Sequence, residues 1–535
     1  MNARKRVFRS AQAKAIQLFM LASLITALSV VLPARIPARP LSSGKLMPHT
    51  TGREVGLRLG DLVPKGQAKK TQLFGDGAVK ALRKETLAPT VACPSMPFTA
   101  MALVWDQQGK GALSAQVQVG QTQVGMGRPS TLSAGSDDGP DAGSPDDHPG
   151  RRGTSLLWVG SARCSRVTVT LPAGARVKDL RAVFVNSAGK SEADEDATAP
   201  AGGSALGFGP APATADTTEP VIITRKQWGA DEKLRNCGPY YLAPVKMAFV
   251  HHTAGPNDYS PSQSDDMVRA IYWYHTQSLG WCDIAYNFLV DKFGRVFEGR
   301  YGGMDQPVLP GATKGFNTGS FAVSALGTYS TFAPPSAMVA AIERLLAWRL
   351  DAAHVPPIGK VWMYSRGSTG GKYPEGAWVH FNRISGHRDA GFTSCPGNLL
   401  YAKLPAIRTV AYDTGLPKIF LPHQSRASIV AGLQEVTWTA SASKVLWWRL
   451  VVTDQSGQVI QTFKGFGQTF SASWTGLDSL GQPVSVGTYG VTMFGSRKGH
   501  SALPASLTLD VVPEPSPSPS PSPSPSDSPS PSPSQ

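Results

Sequence analysis

The stretch KMAFVHHTAG, residues 246–255, decides how the middle of this chain folds. Its apolar run 246–250 is too short for a helix and ends abruptly in two histidines, the pattern of a buried strand whose last residues emerge at a sheet edge. On its C-terminal side, SDDMVRAIYWYHTQS (264–278) reads as a helix. Ser264 is placed to cap it, Asp265 and Asp266 occupy its first turn, and Met267, Ile271 and Tyr274 share one face. IAYNFLV, the turn DKFG and RVFEGR (284–300) then predict a β-hairpin. FAVSAL (321–326) predicts a further strand, and Ser336 opens the helix SAMVAAIERLLAWRL. Strands alternating with helices over residues 222–412 point to an α/β unit with a mixed sheet flanked by helices.

The second informative stretch is GHRDAGFTSCPG (386–397), in which His387 and Cys395 stand eight residues apart. A loop of that length can bring both side chains to one metal, and His251 at the strand end can supply a third ligand. Two imidazoles and a thiolate make a three-ligand zinc site with an open fourth position, the catalytic rather than the structural arrangement. Spacing by itself leaves open that the three are packing residues.

Outward from this block the chain becomes β-rich on both sides. FTAMALVW, LSAQVQVG, SLLWVG, SRVTVTLP and DLRAVFV predict an N-terminal β domain over 88–187, and residues 35–87 read as a linker of mixed composition. The Asp-rich insertion 136–152 is expected to be a solvated surface loop, since its spacing fits no regular calcium loop. Ala, Gly, Pro, Ser and acids make 188–220 a linker. VTWTAS, LWWRLVVTD, QVIQTFKG and YGVTMFG predict a second small β-sandwich over 418–512. Its WTGLD, GQPV and GTYGV segments resemble the immunoglobulin-like repeat appended to many secreted enzymes, which implies a spacer or wall-contact module. The Pro/Ser alternation of 513–535 predicts an extended, solvated tail, with no apolar segment to anchor it.

The segments WGA (228–230), FVHHTAG, GWCDIAYNFLVDKFGRVFEGR (280–300), KGFNTGS (314–320), GHRDAGFTSCPG and LYAKLPAIR (400–408) occur in an order and spacing that resemble the zinc-dependent N-acetylmuramoyl-L-alanine amidases, a family that includes the peptidoglycan recognition proteins. The arrangement of leader, β domain, amidase block and tail is similar to secreted wall amidases of actinobacteria. The resemblance implies one Zn²⁺ held by His251, His387 and Cys395, with Tyr286 and Thr393 as catalytic hydrogen-bond donors to the water or the developing oxyanion. It also implies substrate contacts at His252, Thr253 and Asn317. His252, on the opposite face of the strand from His251, reads equally as a packed residue, and His275 reads as a surface or groove-edge residue. Asp389 and Arg388 are placed to hold the ligand loop. One departure stands out: Ala312 falls where many relatives have a histidine that does not bind the metal. What the resemblance implies as function is hydrolysis of the bond between N-acetylmuramic acid and L-alanine, the alternative being recognition of peptidoglycan without turnover.

With Cys395 assigned to zinc on this resemblance, four of the five cysteines remain. They allow three pairings, and one disulfide per domain, Cys93 with Cys164 and Cys237 with Cys282, is the expected one. An oxidising compartment agrees with the first 34 residues, whose basic start, apolar run 15–32 and small-residue exit make a secretory leader; an uncleaved membrane anchor is the other reading. The whole chain of 535 residues carries a formal charge of +15. By segment that is +7 for residues 1–40, +2 for 41–221, +6 for 222–410 and none beyond. The leader's share serves export, and the excess on the central block suits peptidoglycan and other anionic wall polymers. No basic stripe interleaved with aromatics is present, so nucleic acid is not an expected partner. A secreted, wall-associated monomer is the expectation.

Overall fold

The computed structural model describes residues 50–63, 71–134, 139–147, 151–189, 218–367, 372–415 and 417–515. The expected leader 1–34, most of the expected linker 188–220 and the expected tail from 516 onward lie outside the described residues. Among the described residues no helix is long and apolar enough to cross a membrane.

The central block is built on a six-stranded mixed sheet. Its strands run, in spatial order, Ile222–Ile223, Val296–Glu298, Phe288–Val290, Ser320–Ala325, Met247–His252 and Ile384–Gly386. The last three are parallel neighbours, and the predicted hairpin is the antiparallel pair Phe288–Val290 and Val296–Glu298. Every residue of Met247–His252 is buried, as a central strand covered on both faces requires. Ala248 and Val250 face the helices Ser336–Ala352 and Leu404–Asp413, whereas Met247 and Phe249 pack with Phe316, Met363 and Phe381. By the period of two, His251 leaves the sheet on the Met247 and Phe249 side.

The helix expected from Ser264 instead starts at Pro261 and runs to Trp273, continuing as one wider turn over Tyr274–Ser278. Proline at the first helical position and the Ser260 N–H bonded to Gln263 Oε1 at 2.7 Å fix the earlier start. Ser264, read as a cap, is buried inside the helix.

The N-terminal β unit begins well before residue 88. Thr51–Gly56 pairs along Arg176–Asn186, and Thr71–Leu73 and Val79–Ala81 complete a seven-stranded sheet that faces a second sheet of five strands. The strands Thr51–Gly56, Thr71–Leu73, Val79–Ala81 and Glu85–Thr86 therefore lie where a linker was expected: short polar strands at a sheet margin carry too weak an alternation to read from sequence.

The Phe98–Gln108 strand shows why this unit is not an independent bead. Phe98, Met101, Leu103 and Trp105 fill the core between the two sheets. Ala100, Ala102 and Val104, on the other face, join Val183, Val185, Met267, Ile271, Tyr274 and Tyr286 in a core shared with the central block. Small side chains on that outer face let the helix lie close: a Cβ at Gly52 would come within 2.1 Å of the Trp273 ring.

The C-terminal unit is one hydrogen-bonded sheet of seven strands, dominated by Val436–Thr453 and Val459–Trp474. Their register breaks between Ser441 and Leu446, so Trp438 before the break and Leu450 after it contribute to one core. Both expected disulfides, Cys93–Cys164 and Cys237–Cys282, are present.

Candidate metal centre

Parallel pairing brings the candidate ligands together. Val250 is opposite Gly386 in the register, so His251 and His387, each one residue further, emerge side by side at the carboxyl ends of neighbouring strands. Their ring centroids are 4.6 Å apart. The loop after His387 turns back through a bond from Arg388 N–H to the Cys395 carbonyl at 2.9 Å. That return sets Cys395 Sγ 3.8 Å from His251 Nδ1. Donor atoms of His251, His387 and Cys395 all lie within 4.8 Å of one another, and all three residues are buried.

The donor set fits zinc. Tetrahedral coordination at about 2.1 Å to nitrogen and 2.3 Å to sulfur places such a pair roughly 3.6 Å apart, close to the spacing between His251 and Cys395. Thr313 Oγ1 lies 3.1 Å from His251 Nε2, which directs the Nδ1 lone pair toward the cluster when Nε2 carries the proton. The His252 backbone N–H donates to Cys395 Sγ at 3.2 Å, an interaction that favours the thiolate. Asp389 accepts from Gly386 N–H at 2.9 Å and from Tyr401 O–H at 2.6 Å, and this bond raises the Tyr401 pKa. Arg388 reaches Asn398 Oδ1 at 2.9 Å and the Ser394 carbonyl, closing the ligand loop from outside.

A cavity of about 530 Å³ opens beside this cluster, with Cys395, Tyr286, Thr393, His252, Thr253 and Ala312 in its wall. The Tyr286 ring centroid is 5.5 Å from that of His251. Thr393 Oγ1 accepts the Cys395 N–H at 3.1 Å, which leaves its own proton to donate. Thr253 Oγ1 accepts from Gly327 N–H, and His252 Nδ1 from Tyr329 N–H at 3.2 Å.

One residue sits elsewhere than expected. Asn317 is fully buried and away from the cavity wall; its Oδ1 takes the N–H groups of Ala312 and Thr313, at 2.9 and 2.8 Å. It organises the loop that carries Thr313. His275, read as a surface or groove-edge residue, takes the second place: it is buried, lines the cavity, accepts the Ala285 N–H on Nδ1 at 3.1 Å and packs against Trp281. It stands four residues after Ile271, on the helix face that packs inward.

The Asp-rich insertion is also corrected. Asp141 is buried and accepts from Gly315 N–H, Asn317 N–H, Asn317 Nδ2, Thr318 N–H and Thr318 O–H. Burial raises its pKa while these donors pull the other way. Asp146 takes the Cys282 N–H and pairs with Arg300 at 2.5 Å. These carboxylates are solvated by protein donors of the central block rather than by water, a pairing invisible in the insertion's own composition.

Fold and site together define a class: an α/β domain with a His, His, Cys donor cluster at the carboxyl ends of parallel strands. The sequence pattern of the family described as N-acetylmuramoyl-L-alanine amidase matches residues 241–398. Peptidoglycan-recognition protein SC2 of Drosophila melanogaster is 32% identical over 185 residues, 34% of this chain and 84% of the relative. Peptidoglycan recognition protein 1 of Bos taurus is 29% identical over 180 residues, 34% of this chain and 80% of the relative. Among solved structures, wild-type Drosophila PGRP-LB matches at 22% identity with a TM-score of 0.28, over 35% of this chain and 93% of that one. The chain belongs to the family of type 2 N-acetylmuramoyl-L-alanine amidases and peptidoglycan recognition proteins.

Proposed function

We propose that this protein is a zinc-dependent amidase that hydrolyses the bond between N-acetylmuramic acid and L-alanine in peptidoglycan. The observation that carries this reading is the convergence of the His251, His387 and Cys395 donors beside a cavity whose wall also holds Tyr286 and Thr393. Zinc held by these three residues would supply Lewis acidity, polarising the amide carbonyl and making a water acidic near pH 7. The chain's own groups do the rest. Tyr286 and Thr393 donate hydrogen bonds toward the oxygen on which charge develops. Thr313 and the His252 N–H hold two of the ligands in position, and His252 and Thr253 border the substrate.

Recognition without turnover is the second reading. It is favoured by Ala312, a fully buried methyl in the cavity wall where many relatives have a histidine. Digestion of purified cell walls with and without chelator, with mass analysis of the released peptides, separates the two. The expected result is chelator-sensitive release of peptides with a free N-terminal L-alanine, lost in Cys395→Ala and in Tyr286→Phe. Full release by both variants overturns the mechanism, and zinc binding with no release selects the recognition reading.

In this reading residues 1–34 are an export leader, 50–189 an accessory β-sandwich, 222–412 the amidase domain and 418–512 an immunoglobulin-like spacer carrying the tail 513–535. Two disulfides suit a secreted, wall-associated protein, and the net charge of the central block suits an anionic polymer.

A further inference from the structure

Lys360–Tyr364 and Trp378–Asn382 form a two-stranded antiparallel ribbon outside the central sheet. Its two faces differ in kind. Val361, Met363, Val379 and Phe381 point inward, onto the sheet face that Met247 and Phe249 present and from which His251 emerges. The other face carries, in register, Lys360 opposite Asn382, Trp362 opposite His380 and Tyr364 opposite Trp378. Trp362 and His380 stack, with ring centroids 4.5 Å apart and planes 8° from parallel, and Tyr364 and Trp378 meet edge to face at 5.5 Å. Trp362, Tyr364 and Trp378 are 56, 44 and 62% exposed, so packing within the ribbon accounts for only part of each ring. A contiguous patch of this kind on a folded surface marks a site of interaction.

Two observations say what lies on it. The first is position. Arg366 N–H donates to the Gly315 carbonyl at 2.8 Å, beside Lys314 of the cavity wall. Lys372 Nζ and the Tyr373 hydroxyl donate to the Asp389 carbonyl at 3.0 and 3.3 Å, within the loop that runs from His387 to Cys395. The ribbon therefore braces two loops of the metal centre while its ring face stays outside the cavity lining. The second is charge. Lys360 stands at one end of the ring array, and the Arg366 guanidinium lies 5.9 Å from the Tyr364 ring at the other. Among the described residues no carboxylate pairs with either cation. Open aromatic faces stack on the apolar C–H faces of pyranose rings, and flanking cations suit a sugar strand that carries carboxylates. The two ring pairs are two strand residues, about 7 Å, apart, so they meet successive parts of one extended chain.

We infer that the outer face of this ribbon is a glycan platform, which holds the sugar strand of peptidoglycan while a stem of the same strand occupies the cavity. The inference rests on the amidase reading for the identity of the polymer. It goes beyond that reading in placing a binding surface outside the cavity, used only by substrates several sugars long.

The test uses the full chain with a β-1,4-linked N-acetylglucosamine hexamer as a peptide-free glycan, a soluble muropeptide with a single sugar, and purified walls. Wild type is expected to bind the hexamer, as read by calorimetry. Trp362→Thr combined with Trp378→Thr keeps strand-forming residues and should weaken that binding by about tenfold, whereas Trp378→Tyr should retain most of it. The double variant should cleave the muropeptide as wild type does and cleave walls with a raised KM and an unchanged kcat. If walls and muropeptide are cleaved but the hexamer does not bind, or binds the double variant equally well, the inference falls and the amidase reading stands. If nothing is cleaved but the hexamer binds in a ring-dependent way, the amidase reading falls and the platform stands. Ring-dependent binding of phosphatidylglycerol vesicles in place of the hexamer assigns the face to a membrane, and a ring-dependent dimer on gel filtration in place of hexamer binding assigns it to a second copy; either overturns the inference. Loss of muropeptide cleavage in the double variant makes the ribbon a scaffold for the ligand loop and overturns it as well.

Discussion

At the scale of single residues, the centre depends on hydrogen bonds that no motif spells out. His251 was legible as a ligand type because it ends a short apolar run, and His387 because it stands eight residues before Cys395, but Thr313 carried no sequence signal. It lies 62 residues from the histidine it faces, and only the loop organised by Asn317 brings it within 3.1 Å. Thr313→Val keeps the shape and removes the acceptor. It should weaken zinc binding by about 10- to 100-fold with little change in unfolding stability, as read by competition with a chromogenic chelator. Unchanged affinity would mean that packing alone orients His251. Asn317 and His275 teach the converse lesson: a polar residue in a motif does not announce whether it faces the cavity or the scaffold, because that depends on neighbours distant in sequence.

Among the elements, the central strands and helices followed from periodicity, since burial on both faces forces unbroken apolar runs and burial on one face forces a helical stripe. Boundaries were less legible where a cap or a widened turn decided them, as in Pro261–Trp273. The join after the last helix of the amidase block illustrates an element held by a single buried cation. Lys418 is fully buried and donates to the Ala411 carbonyl at 2.8 Å, near the end of Leu404–Asp413. Burial lowers its pKa to about 8, against the pull of Asp351 and Asp413. Because the folded value lies below the unfolded one, its contribution to stability is fully present above the unfolded pKa and is lost as pH falls through 8. Stability from this group should therefore rise by up to about 3 kcal/mol between pH 8 and pH 10.5. Urea unfolding across that range should show the rise in wild type and a smaller one in Lys418→Met; equal slopes would remove Lys418 as the cause.

For the whole molecule, the β-sandwich and the amidase block share one core through Ala100, Ala102 and Val104. They are expected to stay together without a continuous chain. A protease site introduced between residues 195 and 210 and cut in the folded protein should leave two fragments that co-elute on gel filtration. Asp141→Ala combined with Gly153→Leu should separate them. The first leaves buried N–H groups of Gly315 and Asn317 without their acceptor, at about 1–3 kcal/mol each, and the second drives a side chain into Tyr274. Fragments that separate without these substitutions would show that the shared core is too weak to hold them.

The sequence by itself determined the α/β character of the centre, the residue types able to hold zinc, the three pairings open to four cysteines, and the family resemblance. Those features are local, or recur in fixed order along one chain segment. Only the tertiary structure decided that the strands Thr51–Gly56, Thr71–Leu73 and Val79–Ala81 belong to the sandwich, that Asp141 and Asp146 of the acidic insertion are buried clamps and that a second domain walls the cavity. The physical reason is that a carboxylate or an alanine-lined strand face carries no mark of its partner: whether it meets water or another domain is fixed by packing between segments more than a hundred residues apart.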